Sequence, residues 1–235
     1  MLKKSLITHP KYGNIEITLN PRARRIILRA RPNLLCITLP TLATQKDLEK
    51  ALELYGDKLL ARQQGMEQKT IDTTYRIDAP NFIFELQPHN GDKFLIKYKG
   101  KHTTLLYPAN TQIGSERHQA LLRNVIKESL RRRAKDILPN RLQQLALQHR
   151  FTFSNVSLRN SHTRWGSCSS RGSISLSIYL VLLPDELIDY VLLHELCHTV
   201  EMNHSDRFWA LLDKVCRCDS HTLRQALRKH KCDIL

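Results

Sequence analysis

The stretch His194-Glu195-Leu196-Cys197-His198-Thr199-Val200-Glu201-Met202-Asn203-His204 decides how the rest of the chain is read. Two histidines four residues apart stack on one face of a helix. Glu195 follows the first directly and points about 100° round the helix axis. Two neutral imidazoles and a neighbouring carboxylate in that arrangement suit a zinc ion and a base acting on metal-bound water. A catalytic zinc needs a third protein ligand and an open position. His204 follows His198 at the spacing by which metzincin-type motifs return their third histidine. Those motifs turn on a glycine, and Glu201 stands in its place here. The turn is therefore expected at Asn203, which tolerates left-handed backbone. Glu201 shares a helix face with His194 and is the competing ligand. His204 is preferred, because Ser205 starts a new helix directly behind it and holds it on a rigid corner.

Immediately upstream, Pro184 with Asp185 and Glu186 opens a helix, as a first-turn proline and acids should. Leu187, Tyr190, Val191 and Leu193 bury it, which sets both motif histidines well inside the helix. Before it, Val156-to-Arg159, Thr163-to-Cys168 and the alternating Ile174, Leu176 and Ile178 read as a three-stranded antiparallel sheet, with Ser170-Arg171-Gly172 as a turn. Arg164-Trp165-Gly166-Ser167-Cys168 has two readings. In one, Trp165 packs beside the motif helix and Gly166 permits close approach. In the other, the strand borders a cleft and pairs with an extended substrate. Arg164, Trp165 and Tyr190 are the candidate substrate-binding residues. Tyr190, Asn203 and His221 are alternative donors to a developing oxyanion. Downstream, Ser205 caps a helix carrying Phe208, Trp209, Leu212 and Val215, and a last short helix covers about 220–230.

Further out, Ser115 opens a long helix with the stripe Leu121, Leu122, Val125, Ile126 and Leu130; Pro139 breaks or kinks it before it ends near His149. Ile15, Ile17 and Leu19, then Ile26-Ile27-Leu28 and Leu34-to-Leu39 around a Pro32-Asn33 turn, read as short strands. Thr44 with Asp47 starts a helix that Gly65 ends. Strands return over 75–107, with turns at Asn90-Gly91-Asp92 and Gly100-Lys101. The fold class is α+β: a β-rich N-terminal region with one helix over 1–112, then a zincin-type domain over 113–235 with a small antiparallel sheet and an active-site helix.

The 235 residues can bury a core in one large domain or two modest ones. No apolar run approaches the ~20 residues that span a bilayer. The first residues lack the apolar segment of a secretory signal, so a cytoplasmic protein with reduced cysteines is expected. The net charge of +15 is unevenly spread: from Pro184 onward nine acids meet seven Lys/Arg, leaving +17 on residues 1–183. Between Glu116 and Arg150 nine Lys/Arg meet three acids, including the run Arg131-Arg132-Arg133. The basic N-terminal region and the helix over 116–150 could attract nucleic acid, or serve as solvated surface. Cys216, Cys218, His230 and Cys232 could form a second, structural zinc site. Residues two apart on a helix diverge by about 200°, so this requires the helix to end by Cys216.

Taken together, Arg164-to-Cys168, Asp189-Tyr190-Val191, His194-to-His198, Asn203-His204-Ser205 and Phe208-Trp209 resemble the YgjP-like metallopeptidase domain, a family related to SprT-like and other small zincin peptidases. Arg24-to-Pro40 resembles that family's N-terminal strands. The resemblance implies one zinc ion held by His194, His198 and His204, with Glu195 as the catalytic glutamate. Some SprT-like relatives act on DNA-bound proteins, which gives the basic N-terminal portion its interest. The expected function is zinc-dependent hydrolysis of peptide bonds in a protein or peptide substrate, by Glu-assisted attack of zinc-bound water. The alternative is a nucleic-acid-associated binding module with a structural or vestigial metal site. An intact Glu195 speaks against it, since a structural site has no use for that carboxylate.

Overall fold

The computed structural model describes residues 3–31, 34–64 and 70–230. It divides into two compact units, Met1–Lys69 and Thr70–Leu235. In the first, β1 (Lys3–His9), β2 (Gly13–Leu19), β3 (Ile27–Arg31) and β4 (Leu34–Leu39) form a sheet in the order β1-β2-β4-β3. Two antiparallel hairpins join through their inner strands, β2 parallel to β4. Helix α1 (Gln45–Gln64) follows. A reciprocal cap starts it: the Thr44 backbone N–H donates to Asp47 Oδ2 at 2.8 Å, and the Asp47 N–H donates to the Thr44 hydroxyl at 3.3 Å. Leu48 and Leu52 join Tyr12, Ile15, Leu35, Ile37 and Leu39 in a small core. The Pro32-Asn33 turn and the Gly65 stop lie outside the described residues.

The second unit begins with β5 (Arg76–Ala79), β6 (Phe82–His89), β7 (Leu95–Lys99) and β8 (His102–Pro108), ordered β5-β6-β8-β7. Gly100, at φ +58°, makes the turn into β8. Helix α2 (Glu116–His149) is capped by Ser115, whose hydroxyl accepts from the His118 N–H at 3.4 Å. It runs through Pro139 as one helix. Its buried stripe, Leu122, Ile126, Leu130, Ala134, Leu138, Leu142 and Ala146, recurs at helical spacing along its length. Phe82, Phe84, Leu86 and Leu105 share the core with that stripe. The strands of 76–108 need the α2 stripe to bury their aromatic face, so the units divide after Lys69.

The third sheet holds β9 (Asn155–Arg159), β10 (Gly166–Cys168) and β11 (Ser173–Ser177), ordered β10-β11-β9. β10 and β11 pair antiparallel, but β11 runs parallel to β9, which corrects the all-antiparallel expectation. Residues 160–165 carry the chain past the central position, and the β10–β11 hairpin then inserts its second strand there. A single 3-10 segment, Ile178–Leu182, leads to α3 (Asp185–Cys197). α3 is apolar nearly all round: Leu187, Ile188, Val191, Leu192, Leu193, Leu196 and Cys197 are buried, as a helix enclosed by its neighbours should be. Arg141 on α2 anchors it. Its Nε donates to Asp189 Oδ1, its Nη2 to Asp189 Oδ2 at 2.9 Å, and its Nη1 to Asp185 Oδ1 at 2.9 Å. Helices α4 (Asp206–Cys216) and α5 (Ser220–Arg228) complete the unit. Among the described residues no helix is long and apolar enough to cross a membrane.

Candidate metal centre and active-site cleft

α3 ends at Cys197, so His198 occupies its C-cap rather than its interior. The helical pairing survives one step further: the His198 N–H donates to the His194 carbonyl at 3.3 Å, and the two imidazoles sit 4.9 Å apart between ring centres. The chain then tightens, with Thr199 N–H to Leu196 O at 2.9 Å and Val200 N–H to Cys197 O at 3.0 Å. Among the described residues only Arg150 and Arg217 are non-glycine residues at positive φ. Asn203 therefore does not make a left-handed turn, contrary to expectation, and the tightened three-residue bonds reverse the chain without a glycine. Glu201 contributes its backbone: its carbonyl accepts from His198 Nδ1 at 3.1 Å. That bond places the His198 proton on Nδ1 and leaves Nε2 free as a ligand atom.

The turn returns His204 to the two helix histidines. One ligand atom from each of His194, His198 and His204 lies within 4.8 Å of the others, and among the described residues this is the group of its kind that could hold a metal. Glu201 is not part of it. His204 Nε2 and His194 Nε2 are 3.1 Å apart. Two nitrogens on one tetrahedral zinc, each ~2.1 Å from it, stand about 3.4 Å apart, so the spacing fits that ion. Burial and its histidine neighbours hold the His194 pKa down, to about 3, which keeps the ring in its neutral, metal-binding form. Ser205 occupies the N-cap of α4, but its side chain makes no capping bond; the corner is held by Trp209 N–H to Ser205 O at 3.1 Å. Phe208, fully buried, supports all three rings: it stacks on His198 at 4.5 Å and meets His194 and His204 edgewise at 4.9 and 4.8 Å. Its apolar sequence position signals burial only, and contact with three distant rings comes from the fold.

Glu195 is 5% exposed, and its Oε2 is buried with no hydrogen-bond partner. Burial pushes its pKa up to about 8, and a cation in front of it draws that value back down. Gly166 on β10 is the close approach that accommodates it. A Cβ there would lie 2.5 Å from Glu195 Oε1 and 2.8 Å from Cδ. The cleft over this group is lined by Arg164, Trp165, Tyr190, Trp209, Arg224 and Leu227, together with Gly166, Val191, His194, Glu195 and His204. The three residues nominated for substrate contact thus share one cleft with the histidines. Of the oxyanion candidates, Tyr190 lines the cleft, with its ring centre 6.0 Å from that of His194. Burial raises its pKa to about 12, so it keeps its proton. His221 stacks on Trp209 at 4.6 Å, and Asn203 is exposed. Trp209, Arg224 and Leu227 were not nominated from the sequence. Trp209 and Arg224 stand on neighbouring helices that meet only in the fold.

Cys216 is the last residue of α4, Arg217 follows at φ 54°, and Cys218 is exposed. Burial raises the Cys216 thiol to about 12. Cys232, the fourth member of the suggested second site, lies outside the described residues. The basic run of α2 makes internal contacts: Arg131 pairs with Glu128 at 3.5 Å, Arg132 lies over the Tyr98 ring at 4.4 Å, and Arg133 Nε donates to the Asn81 carbonyl at 2.9 Å.

The fold and the cleft describe an α+β chain with a three-histidine group and a buried carboxylate on one wall. The family model "YgjP-like, metallopeptidase domain" matches residues 24–230. The chain belongs to the YgjP-like metallopeptidase family, and that family implies a metal ion. Two solved structures are also similar. The metallopeptidase zymogen abylysin of Pyrococcus abyssi is 21% identical, with a TM-score of 0.37, over 40% of this chain and 93% of its own. The metallopeptidase zymogen jannalysin of Methanocaldococcus jannaschii is 19% identical, with a TM-score of 0.35, over 39% and 94%. A search of curated proteins finds no match. None of these findings points to nucleic acid.

Proposed function

We propose that this chain is a zinc peptidase that holds one ion on His194, His198 and His204 and uses Glu195 as its general base. One observation carries the reading: three imidazole nitrogens converge beside a buried carboxylate whose Oε2 has no partner, and His194, His204 and Glu195 line one cleft. A zinc ion on these three histidines would supply Lewis acidity for polarising a peptide carbonyl and for activating a water near neutral pH. Glu195 takes a proton from that water as its oxygen adds to the carbonyl carbon. It returns the proton to the amide nitrogen as the C–N bond breaks. Tyr190, still protonated, donates to the oxygen that gains charge. His198 keeps its ligand orientation through the Glu201 carbonyl. A cytoplasmic setting belongs to this reading, and the free cysteines Cys36, Cys168, Cys197, Cys216 and Cys218 support it.

The test pairs metal analysis with a proteolysis screen. The wild-type chain is expected to carry about one zinc and to cleave unfolded protein substrates. The Glu195→Gln variant should keep its zinc and lose cleavage. Cleavage that survives the substitution overturns the role of Glu195, and a chain that retains no metal after loading overturns the centre.

A further inference from the structure

The cleft has an unbalanced charge. Glu195 is its single acidic lining residue, and two arginines, Arg164 and Arg224, line it as well. Arg164 precedes β10, and Arg224 stands on α5; both are exposed. Among the described residues neither forms an ion pair with a carboxylate, whereas Arg141 on α2 is saturated by Asp185 and Asp189. Arg224 is held all the same. Its guanidinium carbon lies 5.2 Å from the Trp209 ring centre, and Trp209 stacks on His221 at 4.6 Å with 29° between the planes. A guanidinium laid on an aromatic ring keeps its planar fork of N–H donors free at the edge. Arg224 lies in the segment from Pro184 onward, which carries more acids than bases, so its positive charge is not a share of a basic surface there.

We propose that Arg224, with Arg164 on the lining of the same cleft, forms a carboxylate-recognition subsite, so that the cleft takes peptides bearing a carboxylate close to the bond that is cut. The group is either a free C-terminal carboxylate or an Asp or Glu side chain. The inference rests on the peptidase reading and adds the substrate class to it. The geometry sets the reach. Arg224 is 5.2 Å from the Trp209 centre and Trp209 is 5.6 Å from the His204 ring centre. The guanidinium therefore lies within about 11 Å of that ring, and extended chain spans about 3.5 Å per residue, which places the carboxylate no more than about three residues from the scissile bond. A carboxylate accepts two parallel N–H bonds from the fork. Trp165, Val191 and Leu227 offer apolar contact to the side chains between.

The test measures binding in a chain that does not turn over. Zinc-loaded protein carrying Glu195→Gln is titrated by calorimetry with one short apolar peptide in four forms: free acid, C-terminal amide, amide with one internal Glu, and amide with Gln at that place. At least tenfold tighter binding is expected for the free acid over its amide, or for the Glu form over the Gln form, and the pair that responds identifies the source of the carboxylate. Adding Arg224→Gln should erase that difference, while Arg224→Lys keeps part of it. Zinc content and melting temperature confirm that each variant is folded. Equal binding of all four peptides overturns the subsite, and so does a preference that persists in the Arg224→Gln variant. A phosphopeptide that outcompetes both acidic forms overturns the carboxylate assignment. The two readings fail separately. Charge preference without cleavage by the wild type sinks the peptidase reading alone, and cleavage without charge preference sinks the subsite alone.

Discussion

The two four-stranded sheets have the same plan and different uses. Each joins two antiparallel hairpins through parallel inner strands: β2 beside β4 over Ile15–Leu19 and Leu35–Leu39, and β6 beside β8 over Ile83–His89 and His102–Pro108. Each is followed by a helix. α1 packs on its own sheet and closes a core of seven residues. α2 is 34 residues long, and its buried stripe continues past the sheet to the 3-10 segment and α3. The sheet plan is therefore neutral with respect to function. The length of the helix behind it decides whether a sheet makes a small separate unit or becomes the floor under an active-site helix, because burying both the sheet face and α3 needs more apolar turns than α1 has.

Five substitutions would break or sharpen that contrast. The largest effect belongs to the site itself: Glu195→Gln should lower the cleavage rate by about 10²–10⁴-fold, the range for a lost general base, with metal content unchanged. Next is the larger core of the second unit. Leu138→Ala empties a fully buried position on α2 and should cost about 2–5 kcal/mol. Both tryptophans, Trp165 and Trp209, lie in the second unit, so tryptophan fluorescence follows its unfolding alone. Leu52→Ala, at a buried position of α1, should leave that transition in place. If it shifts the transition as far as Leu138→Ala does, the two units do not unfold separately.

Gly166→Ala puts a methyl group into the Glu195 carboxylate. The carboxylate must move, and a displacement of about 1 Å costs on the order of 10²-fold in rate. Zinc content should stay near that of the wild type; a variant with full activity would show that Glu195 has room the structure does not display. The smallest effect is expected from Arg141→Met, which leaves Asp189 and Asp185 without their cation. The pair is partly exposed, so the cost should be about 1–2 kcal/mol rather than the 3–5 kcal/mol of a fully buried pair. A denaturation midpoint read by fluorescence measures it.

Much of the site was legible because its signals are local. His194 and His198 share a helix face by spacing alone, and the His204 spacing follows from the return of one tight turn. The α2 stripe, the Thr44–Asp47 cap and the alternating Phe82, Phe84 and Leu86 are likewise short-range patterns. The misses concern groups that are distant in sequence. The parallel pairing of β9 with β11 depends on which strand the β10–β11 hairpin presents to it, and no residue type in 155–177 encodes that order. The turn at 198–204 was assigned to Asn203 by analogy with a glycine, whereas the chain tightens its hydrogen bonding instead. The division after Lys69 follows shared burial, which couples residues 77 and 142 as readily as neighbours.

By itself the sequence determined the class of this protein: an α+β chain with a helix carrying two histidines and a glutamate, and a third histidine close behind. Those features depend on spacing along one helix and one turn, where backbone geometry converts sequence separation directly into position. Only the tertiary structure decided what surrounds them. It put Phe208 under three imidazoles, Gly166 against the Glu195 carboxylate, and Arg224 over Trp209 at the open edge of the cleft. Each of those contacts joins residues on different elements, and packing of the whole second unit, rather than any local preference, brings them within reach.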